Sequence, residues 1–123
     1  MRLLLDTHIL VWWRGSPAKL TEAHREAIAD PSNEVFVSAA SFWELAIKQA
    51  KGKIHLPDDF MASFDSLGFR ILDISARHAW LTRELPHIHH DPFDRILISQ
   101  AMSEGLTMVS VDSSLARYAV PLL

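Results

Sequence analysis

The sequence predicts a three-layer α/β/α sandwich, in which helices cover both faces of a short parallel sheet. Short apolar runs such as Leu3–Leu5 and Val35–Val37 lack the polar–apolar alternation of a sheet with one wet face, which is typical of strands buried on both sides. Segments with helical periodicity separate these runs along the chain. The chain has 123 residues, of which 49% are hydrophobic. We therefore expect residues 1–123 to form a single domain with a substantial core.

The first strand and the two helices after it are bounded by residues with clear local preferences. The strand at Leu3–Leu5 is followed by an apolar helix over Thr7–Arg14, which Gly15 ends. A second, amphipathic helix is predicted over Thr21–Ala29, because Thr21 is a favourable N-cap.

The helix after the second strand, Val35–Val37, is unusually apolar. It is predicted to begin at the cap residue Ser38 or Ser41 and to extend to about Lys51. Apolar side chains cover most of its circumference, so we expect it to be mostly buried, with its polar strip facing water or a charged partner. That strip consists of Ser41, Glu44, Lys48 and Lys51.

The third strand is predicted over Arg70–Ile74, between a helix at Pro57–Leu67 and a helix that runs from the cap Ser75 to Leu85. Proline at position 86 ends the second of these helices. The chain then closes with three short elements. They are a strand over Thr107–Val111, one or two helical turns over Ser113–Tyr118, and a fifth, edge strand over Ala119–Leu122, where Pro121 cannot donate to a ladder.

The helix that begins at Asp91 and ends at Gly105 contains a carboxylate where a core residue belongs. Asp91 is a plausible N-cap, and Pro92 suits the first helical position. Asp94 could reach back to the cap N–H group, or it could face a cleft and hold a cation, and this stretch alone leaves both open. On the helical wheel, Asp94 falls within the face formed by Phe93, Ile96, Leu97, Ile98, Ala101 and Met102, opposite Arg95, Ser99, Gln100, Ser103 and Glu104.

Four acidic residues that are distant in sequence are predicted to meet at one edge of the sheet. Asp6 ends the first strand, and Asp112 ends the fourth. Glu44 lies in the helix that leaves the second strand, and Asp94 lies at the start of a helix antiparallel to the fourth. Like charges this close repel strongly unless a cation separates them. Ligation by oxygen alone selects Mg²⁺ or Mn²⁺, so the sequence predicts a divalent metal site.

Each acid also has a purely structural interpretation. Asp6 could begin a turn into the first helix, and Asp112 could cap the last short helix. Glu44 could pair with Lys48 one turn later or complete a capping box with Ser41. The metal hypothesis depends on all four acids occurring together.

Five further residues are candidates for supporting roles. Thr7 could orient a water or a phosphate, and Asp91 could act as cap and outer partner of the site. Lys48 could contact a phosphate of a substrate. Arg95 and Arg14 could form part of a substrate rim, although each could equally be a solvated surface charge.

Composition excludes several classes of protein. The net charge of −3 and pI near 6.1 argue against binding nucleic acid through bulk positive charge. The absence of cysteine excludes disulfides and thiolate sites. No stretch approaches the length of a membrane span, and the apolar start is interrupted too soon for a signal peptide, so we expect a cytoplasmic location.

Four segments carry a specific family resemblance. They read Leu-Leu-Leu-Asp-Thr-His at 3–8, Ser-x-x-Ser-x-Trp-Glu-Leu-Ala-Ile-Lys at 38–48, His-His-Asp-Pro-Phe-Asp-Arg-x-Leu-Ile-x-Gln-Ala at 89–101 and Val-Ser-x-Asp at 109–112. In order, spacing and flanking residues, the chain resembles PIN-domain proteins, and within them the VapC-type toxins of type II toxin–antitoxin systems.

The resemblance implies a Mg²⁺- or Mn²⁺-dependent ribonuclease that cuts single-stranded RNA. The acidic quartet of the family corresponds here to Asp6, Glu44, Asp94 and Asp112, with Thr7 as the neighbouring hydroxyl. The family also implies a small antitoxin that blocks the site, and usually a toxin homodimer.

Three other functional interpretations of the sequence were compared with the ribonuclease. His87, His89 and His90 could form a transition-metal site, but no distant ligand completes it, and a solvated loop near the nucleic acid is the better interpretation. An aspartyl-nucleophile phosphatase would use Asp6, but such enzymes typically have a second acid two residues later, where this chain has His8.

A receiver-like signalling domain is the third alternative. It needs an acceptor aspartate at the end of the third strand and a lysine at the end of the fifth. Asp73 lies within the predicted third strand, and no lysine follows Lys53. This interpretation is therefore disfavoured.

Overall fold

The computed structural model describes all 123 residues, and helices and strands alternate along the chain as predicted. The strands are β1 (Arg2–Leu5), β2 (Glu34–Ser38), β3 (Arg70–Leu72) and β4 (Thr107–Val109). The helices are α1 (Thr7–Gly15), α2 (Glu22–Ala29), α3 (Ala39–Ala50), α4 (Phe60–Ser66), α5 (Ala76–Leu81) and α6 (Pro92–Glu104), with 3-10 turns at Pro17–Lys19, Thr82–Glu84 and Ser113–Arg117.

The four strands form one parallel sheet in the order β3-β2-β1-β4, with a core on each face. Side chains alternate between the faces, so Leu3 and Leu5 pack in one cluster while Leu4 packs in the other. Residues of α1, α2 and α4 fill the first cluster, and residues of α6 and the C-terminal segment fill the second. The predicted three-layer α/β/α sandwich is confirmed.

Several predicted boundaries were wrong for identifiable reasons. β3 and β4 each end two residues early, because Leu72 and Val109 already pair with the last residues of the neighbouring strands. α4 begins at Phe60, after a turn, instead of at Pro57. The helix expected to reach Leu85 ends at Leu81 and tightens into the 3-10 turn Thr82–Glu84.

The predicted fifth strand is reduced to a single parallel bridge between Leu122 and Met108. Pro121 has no N–H group, but its carbonyl accepts from the backbone N–H of Met108 at 2.8 Å. The N–H group of Leu123 then donates to the Met108 carbonyl at 2.8 Å. The terminal segment therefore covers the outer edge of β4 without forming a strand.

The buried faces predicted for two helices were partly wrong. In α6, Ser99 and Gln100 are buried and Met102 is exposed, because α5 and α3 cover the side of α6 that faces away from the sheet. In α3, the polar residue Ser41 is buried, whereas Trp43 is 60% exposed. α3 is thus less buried than its composition indicates, and it presents an apolar outer face.

The connections that follow β1 and β4 leave toward opposite faces of the sheet. After β1, Ile9 and Leu10 of α1 pack in the first core cluster, whereas Leu115 and Tyr118, after β4, pack in the second. Adjacent parallel strands with this arrangement open a crevice at their carboxyl ends, the usual ligand site in such sheets. No helix is long and apolar enough to span a membrane.

Candidate metal centre

A small cavity at the carboxyl ends of β1 and β4 is lined by three of the four predicted acids. Asp6, Asp94 and Asp112 surround it, and its floor is apolar. Its volume of about 10 Å³ is near that needed by a single water molecule. The topology therefore brings these carboxylates together from positions that are distant in sequence. The apolar lining residues are Leu97, Met108 and Leu115.

Asp6 is buried, and each of its carboxylate oxygens accepts one hydrogen bond. It is the N-cap of α1, and one carboxylate oxygen accepts from the backbone N–H of Thr7 at 2.7 Å. Its other oxygen accepts from the Ser110 hydroxyl at 2.6 Å. The Thr7 hydroxyl in turn lies 2.9 Å from that of Ser41, which connects α1 to α3. Asp6 therefore both leads into α1, as its structural alternative predicted, and lies at the cavity.

Asp94 is the acid whose carboxylate accepts no hydrogen bond in the structure. Burial, followed by the neighbouring charges of Asp91 and Asp6 and also that of Glu44, raises the pKa of Asp94 to about 6. The capping alternative requires the Asp94 carboxylate to bond the N–H group of Asp91, and that bond is absent. Asp91 itself caps α6, accepting from the N–H groups of Phe93 and Asp94.

Glu44 lies close enough to Asp94 for its charge to affect the pKa of that carboxyl. It forms the ion pair with Lys48 that the spacing in α3 predicts, at 2.9 Å. The capping-box alternative is wrong, because Ser38, and not Ser41, caps α3. Glu44 is therefore a partly screened carboxylate at the margin of the cavity.

Asp112 is held by the loop that precedes α6. One of its oxygens accepts from the N–H and hydroxyl groups of Ser114, so Asp112 also caps the last 3-10 turn as the alternative predicted. Its other oxygen lies 2.9 Å from Nε2 of His89. The hydrogen bond from the Ser114 hydroxyl and then that from His89 hold the pKa of Asp112 below its usual value.

His89 corrects the interpretation of its loop as solvated. Its side chain is only 13% exposed. The Tyr118 hydroxyl accepts the backbone N–H of His89 at 2.8 Å and lies 3.0 Å from Nδ1. If Tyr118 donates to Nδ1, the Nε2–H group remains free to donate to Asp112. The three-histidine alternative, which the sequence already disfavoured, is not formed, because no three such side chains converge, and His87 and His90 are exposed as expected of a solvated loop.

The two arginines predicted to form a substrate rim are engaged elsewhere. The Arg95 guanidinium donates to four backbone carbonyls of the segment before α6, at 2.8–3.3 Å, so it fixes that segment. Arg14 donates to Ser63 at 3.1 Å. It lies near the far end of α1, about 10 Å along the helix axis from Thr7. Neither arginine side chain lines the acidic cavity.

The donor chemistry of the cavity suits a hard cation, although the carboxylates are not yet arranged around one. Aspartate and glutamate oxygens are the ligands that Mg²⁺ and Mn²⁺ prefer. No three acidic or histidine side chains converge closely enough to share an ion. The hydrogen bonds of Asp6, Asp112 and Glu44 account for this, because they turn the oxygens toward other partners. These side chains would have to exchange part of their hydrogen bonds for the ion to ligate a metal.

Comparison with known proteins agrees with the fold and the motifs. The PIN domain family matches residues 3–121. The chain belongs to the PIN-domain family. A curated relative, Ribonuclease VapC22 of Mycobacterium tuberculosis, is 30% identical over 122 residues, covering 97% of this chain and 93% of the relative. The resemblance to VapC-type PIN domains is thereby confirmed.

Solved structures of low sequence identity share the fold of this chain. One structure is of VapBC2 from Rickettsia felis bound to a DNA fragment from its promoter, with a TM-score of 0.75, 19% identity and coverage of 100% of this chain and 98% of that chain. Another is of FitAcB from Neisseria gonorrhoeae, with a TM-score of 0.67, 18% identity and coverage of 98% and 96%.

Sequence reasoning missed three residues of this PIN domain that contact its acids. Ser110 stands within the Val-Ser-x-Asp segment, next to a strand that ends at the cavity, and this was the available signal for it. The contacts of Ser114 and His89 with Asp112 depend on the path of two loops, which periodicity does not describe.

Proposed function

We propose that this protein is a metal-dependent endoribonuclease that cleaves single-stranded RNA. The observation that carries the proposal is the Asp94 carboxylate, which is half-buried among like charges, accepts no hydrogen bond from the protein and has a raised pKa. An arrangement of this kind destabilises the fold unless it binds something positive. The name of the VapC22 relative, a ribonuclease, supports this class of reaction.

In this proposal, the carboxylates of Asp6, Asp94, Asp112 and Glu44 hold Mg²⁺ or Mn²⁺. A bound ion of this kind supplies a polarised phosphoryl oxygen and an activated water. The chain provides the remaining parts of the reaction. Asp91 fixes the start of α6 and thereby the position of Asp94.

Two further side chains are proposed to handle the phosphate. The Thr7 hydroxyl, held by Ser41, is available to orient the phosphate or the attacking water. Lys48 neutralises part of the phosphate charge near Glu44. The water oxygen forms a bond to phosphorus as the bond to the leaving ribose oxygen breaks. The water loses one proton and the leaving oxygen gains one through solvent, so the products are one RNA strand that ends in a phosphate and one that ends in a hydroxyl. The proposal places this reaction in the cytoplasm.

We also propose a small antitoxin as a partner, which makes this chain the toxin of a toxin–antitoxin pair. Two similar structures support this partner by their descriptions: a toxin–antitoxin complex from Klebsiella pneumoniae, with a TM-score of 0.62, 17% identity and coverage of 98% of this chain and 95% of that chain, and a member of the VapBC family of toxin–antitoxin systems from Mycobacterium tuberculosis. An antitoxin that covers the acidic cavity would keep RNA away from Asp94.

A homodimer is the second proposed assembly. An apolar cleft of about 260 Å³ lies between α3, α5 and α6 and is lined in part by Trp43, Ile74 and Phe93. The ring of Trp43, which is 60% exposed, lies 5.0 Å from that of Phe93. Exposed aromatic side chains in a cluster are typical of protein interfaces. Light scattering during gel filtration tests this assembly, and a monomer at all concentrations would refute it.

The proposed function is tested by calorimetric titration of Mn²⁺ into the wild type and Asp94→Asn, with a parallel cleavage assay on total cellular RNA. We expect the wild type to bind Mn²⁺ and to produce discrete fragments, and the variant to lose both properties. A folded wild type that binds no millimolar Mn²⁺ and cleaves no RNA, as monomer or dimer, would overturn the proposal.

A further inference from the structure

A second cavity lies beside the acidic one, between α1, α3 and the segment that joins α3 to α4. We call it the α1–α3 pocket. Its volume of about 370 Å³ falls within the range of about 300–1,000 Å³ that is typical of small-molecule sites. Its lining includes Thr7, His8 and Trp12 of α1, Lys48 of α3, and His55 and Leu56 of the connecting segment.

The α1–α3 pocket adjoins the acidic cavity. Thr7, which lines the pocket, directly follows Asp6, and the Asp6 carboxylate bonds the Thr7 N–H group at 2.7 Å. Lys48, which also lines the pocket, lies 2.9 Å from the carboxylate of Glu44. A polymer whose phosphate lies at the acids therefore has its adjacent unit within reach of this pocket.

The lining of the α1–α3 pocket is apolar and basic, and it contains no acidic residue. Five of its nine residues are hydrophobic, and the polar ones are Thr7, Lys48 and two histidines. The ring of Trp12 lies 6.0 Å from that of His8, so an aromatic pair forms part of the wall. Aromatic faces beside cationic groups are the combination that binds the bases and phosphates of single strands.

We propose that the α1–α3 pocket binds one nucleotide of single-stranded RNA, adjacent to the phosphodiester that is cut. The base stacks against Trp12 and Leu56, His8 and His55 offer ring nitrogens to its edge, and Lys48 faces the connecting phosphate. This inference rests on the proposed ribonuclease function. It adds that this pocket determines which nucleotide the enzyme prefers next to the cut. RNA is favoured over a peptide because the lining itself contains Lys48 and two histidines but no acid, and because the pocket adjoins the acidic site.

Two variants test the pocket without touching the acids. His55→Glu places a negative charge at an exposed position of the pocket, and Trp12→Leu removes the stacking surface but keeps an apolar side chain. The matched controls are Ala76→Glu, which adds the same charge at an exposed position of α5, and Trp80→Leu, which removes a tryptophan from the surface of α5. Thermal unfolding verifies that each variant is folded.

The probe is a short single-stranded RNA with a randomised sequence, cleaved with Mn²⁺ and bound separately in a metal chelator. We expect both pocket variants to raise KM and weaken binding by about tenfold, with kcat changed much less, because Trp12→Leu loses one stacked base and His55→Glu repels the phosphates of the strand. The base preference next to the cut should change as well. The two controls should behave like the wild type.

Unchanged KM, RNA affinity and cleavage preference in both pocket variants would overturn the inference while leaving the ribonuclease intact. If RNA binding falls in the pocket variants but the wild type cleaves no RNA, the pocket stands and the ribonuclease proposal fails. If the variants bind RNA normally but lose a co-purified protein partner, the pocket belongs to that partner and the inference is wrong.

Discussion

The two ends of α6 treat buried polar side chains in opposite ways. In its C-terminal half, the Ser99 hydroxyl donates to the carbonyl of His78 at 2.7 Å, and Gln100 accepts from Ser38 at 2.6 Å. Glu104 lies 2.8 Å from Nε2 of His78. In its first turn, the Asp94 carboxylate is also partly buried, yet it has no hydrogen-bond partner and its pKa is raised.

The difference separates polar groups that support the fold from one that the fold merely tolerates. Buried polar side chains that are hydrogen-bonded to one another help to select one packing arrangement of the helices. An acid without a partner among like charges opposes folding, so another requirement has to account for its presence. The contrast within one helix therefore marks Asp94 as a candidate functional residue more clearly than its sequence position does. The following experiments test the contrast, beginning with the largest effect.

Asp94→Asn is expected to abolish RNA cleavage, by on the order of a thousandfold or more, because a metal ligand contributes several kcal/mol to the transition state. The same variant should be more stable than the wild type without metal, by about 1 kcal/mol, because it removes charge repulsion. Cleavage rates and urea unfolding in chelator measure the two effects. A clear loss of stability would instead indicate that Asp94 serves the helix terminus.

His89→Ala tests whether the loop before α6 serves the acidic end. We expect Mn²⁺ affinity to fall by about 10–100-fold, as is typical when a side chain that orients a ligand is removed. His89→Gln, which keeps an N–H donor, should recover part of that loss. Calorimetric titration gives the affinities, and equal Mn²⁺ affinity in all three proteins would show that the contact with Asp112 is only structural.

Gln100→Leu tests the opposite end of the comparison. It leaves the buried Ser38 hydroxyl without its acceptor, so we expect unfolding to require about 1–3 kcal/mol less free energy. Cleavage by the folded variant should stay within a few-fold of the wild type. Urea unfolding and initial rates provide both values, and a large loss of cleavage in a stable variant would contradict the division of α6 into two roles.

The pH dependence of stability gives the smallest expected effect. The folded-state pKa of Asp94 is about 6, above the ordinary value of 3.8, so the folded protein binds more protons than the unfolded chain between about pH 4 and pH 6. Stability relative to Asp94→Asn should therefore fall as pH rises through this range, by about 1 kcal/mol after allowance for solvent screening. Melting curves in chelator measure the difference, and a constant difference across this range would refute it.

Much of the acidic cavity was predictable because topology determines it. Short apolar strands between helices imply a parallel sheet, and a parallel sheet brings Asp6 and Asp112 to one edge. The antiparallel path of α6 then adds Asp94. These inferences need only the order and type of the elements, which hydrophobic periodicity encodes well.

Other features depend on tertiary packing that periodicity does not encode. A helical wheel assumes one buried face, but α5 and α3 also cover α6, so Ser99 and Gln100 are buried. The contact of His89 with Asp112 depends on a loop that Arg95 fixes through four carbonyls. The predicted fifth strand does not form, because the terminal segment pairs with the outer edge of β4 through a single bridge.

The hydrogen bond between Ser110 and Asp6 joins residues 104 positions apart. During synthesis β1 leaves the ribosome first, but β4, which completes the sheet beside it, follows only after most of the chain has been made. Non-local pairing of this kind forms late, because the partner has to exist before the loop can close. The nascent chain therefore carries Asp6 before Ser110 and Asp112 exist, so under the proposed function ribosome-stalled chains that end before β4 should cleave no RNA. Order of synthesis thus delays activity until the chain is nearly complete.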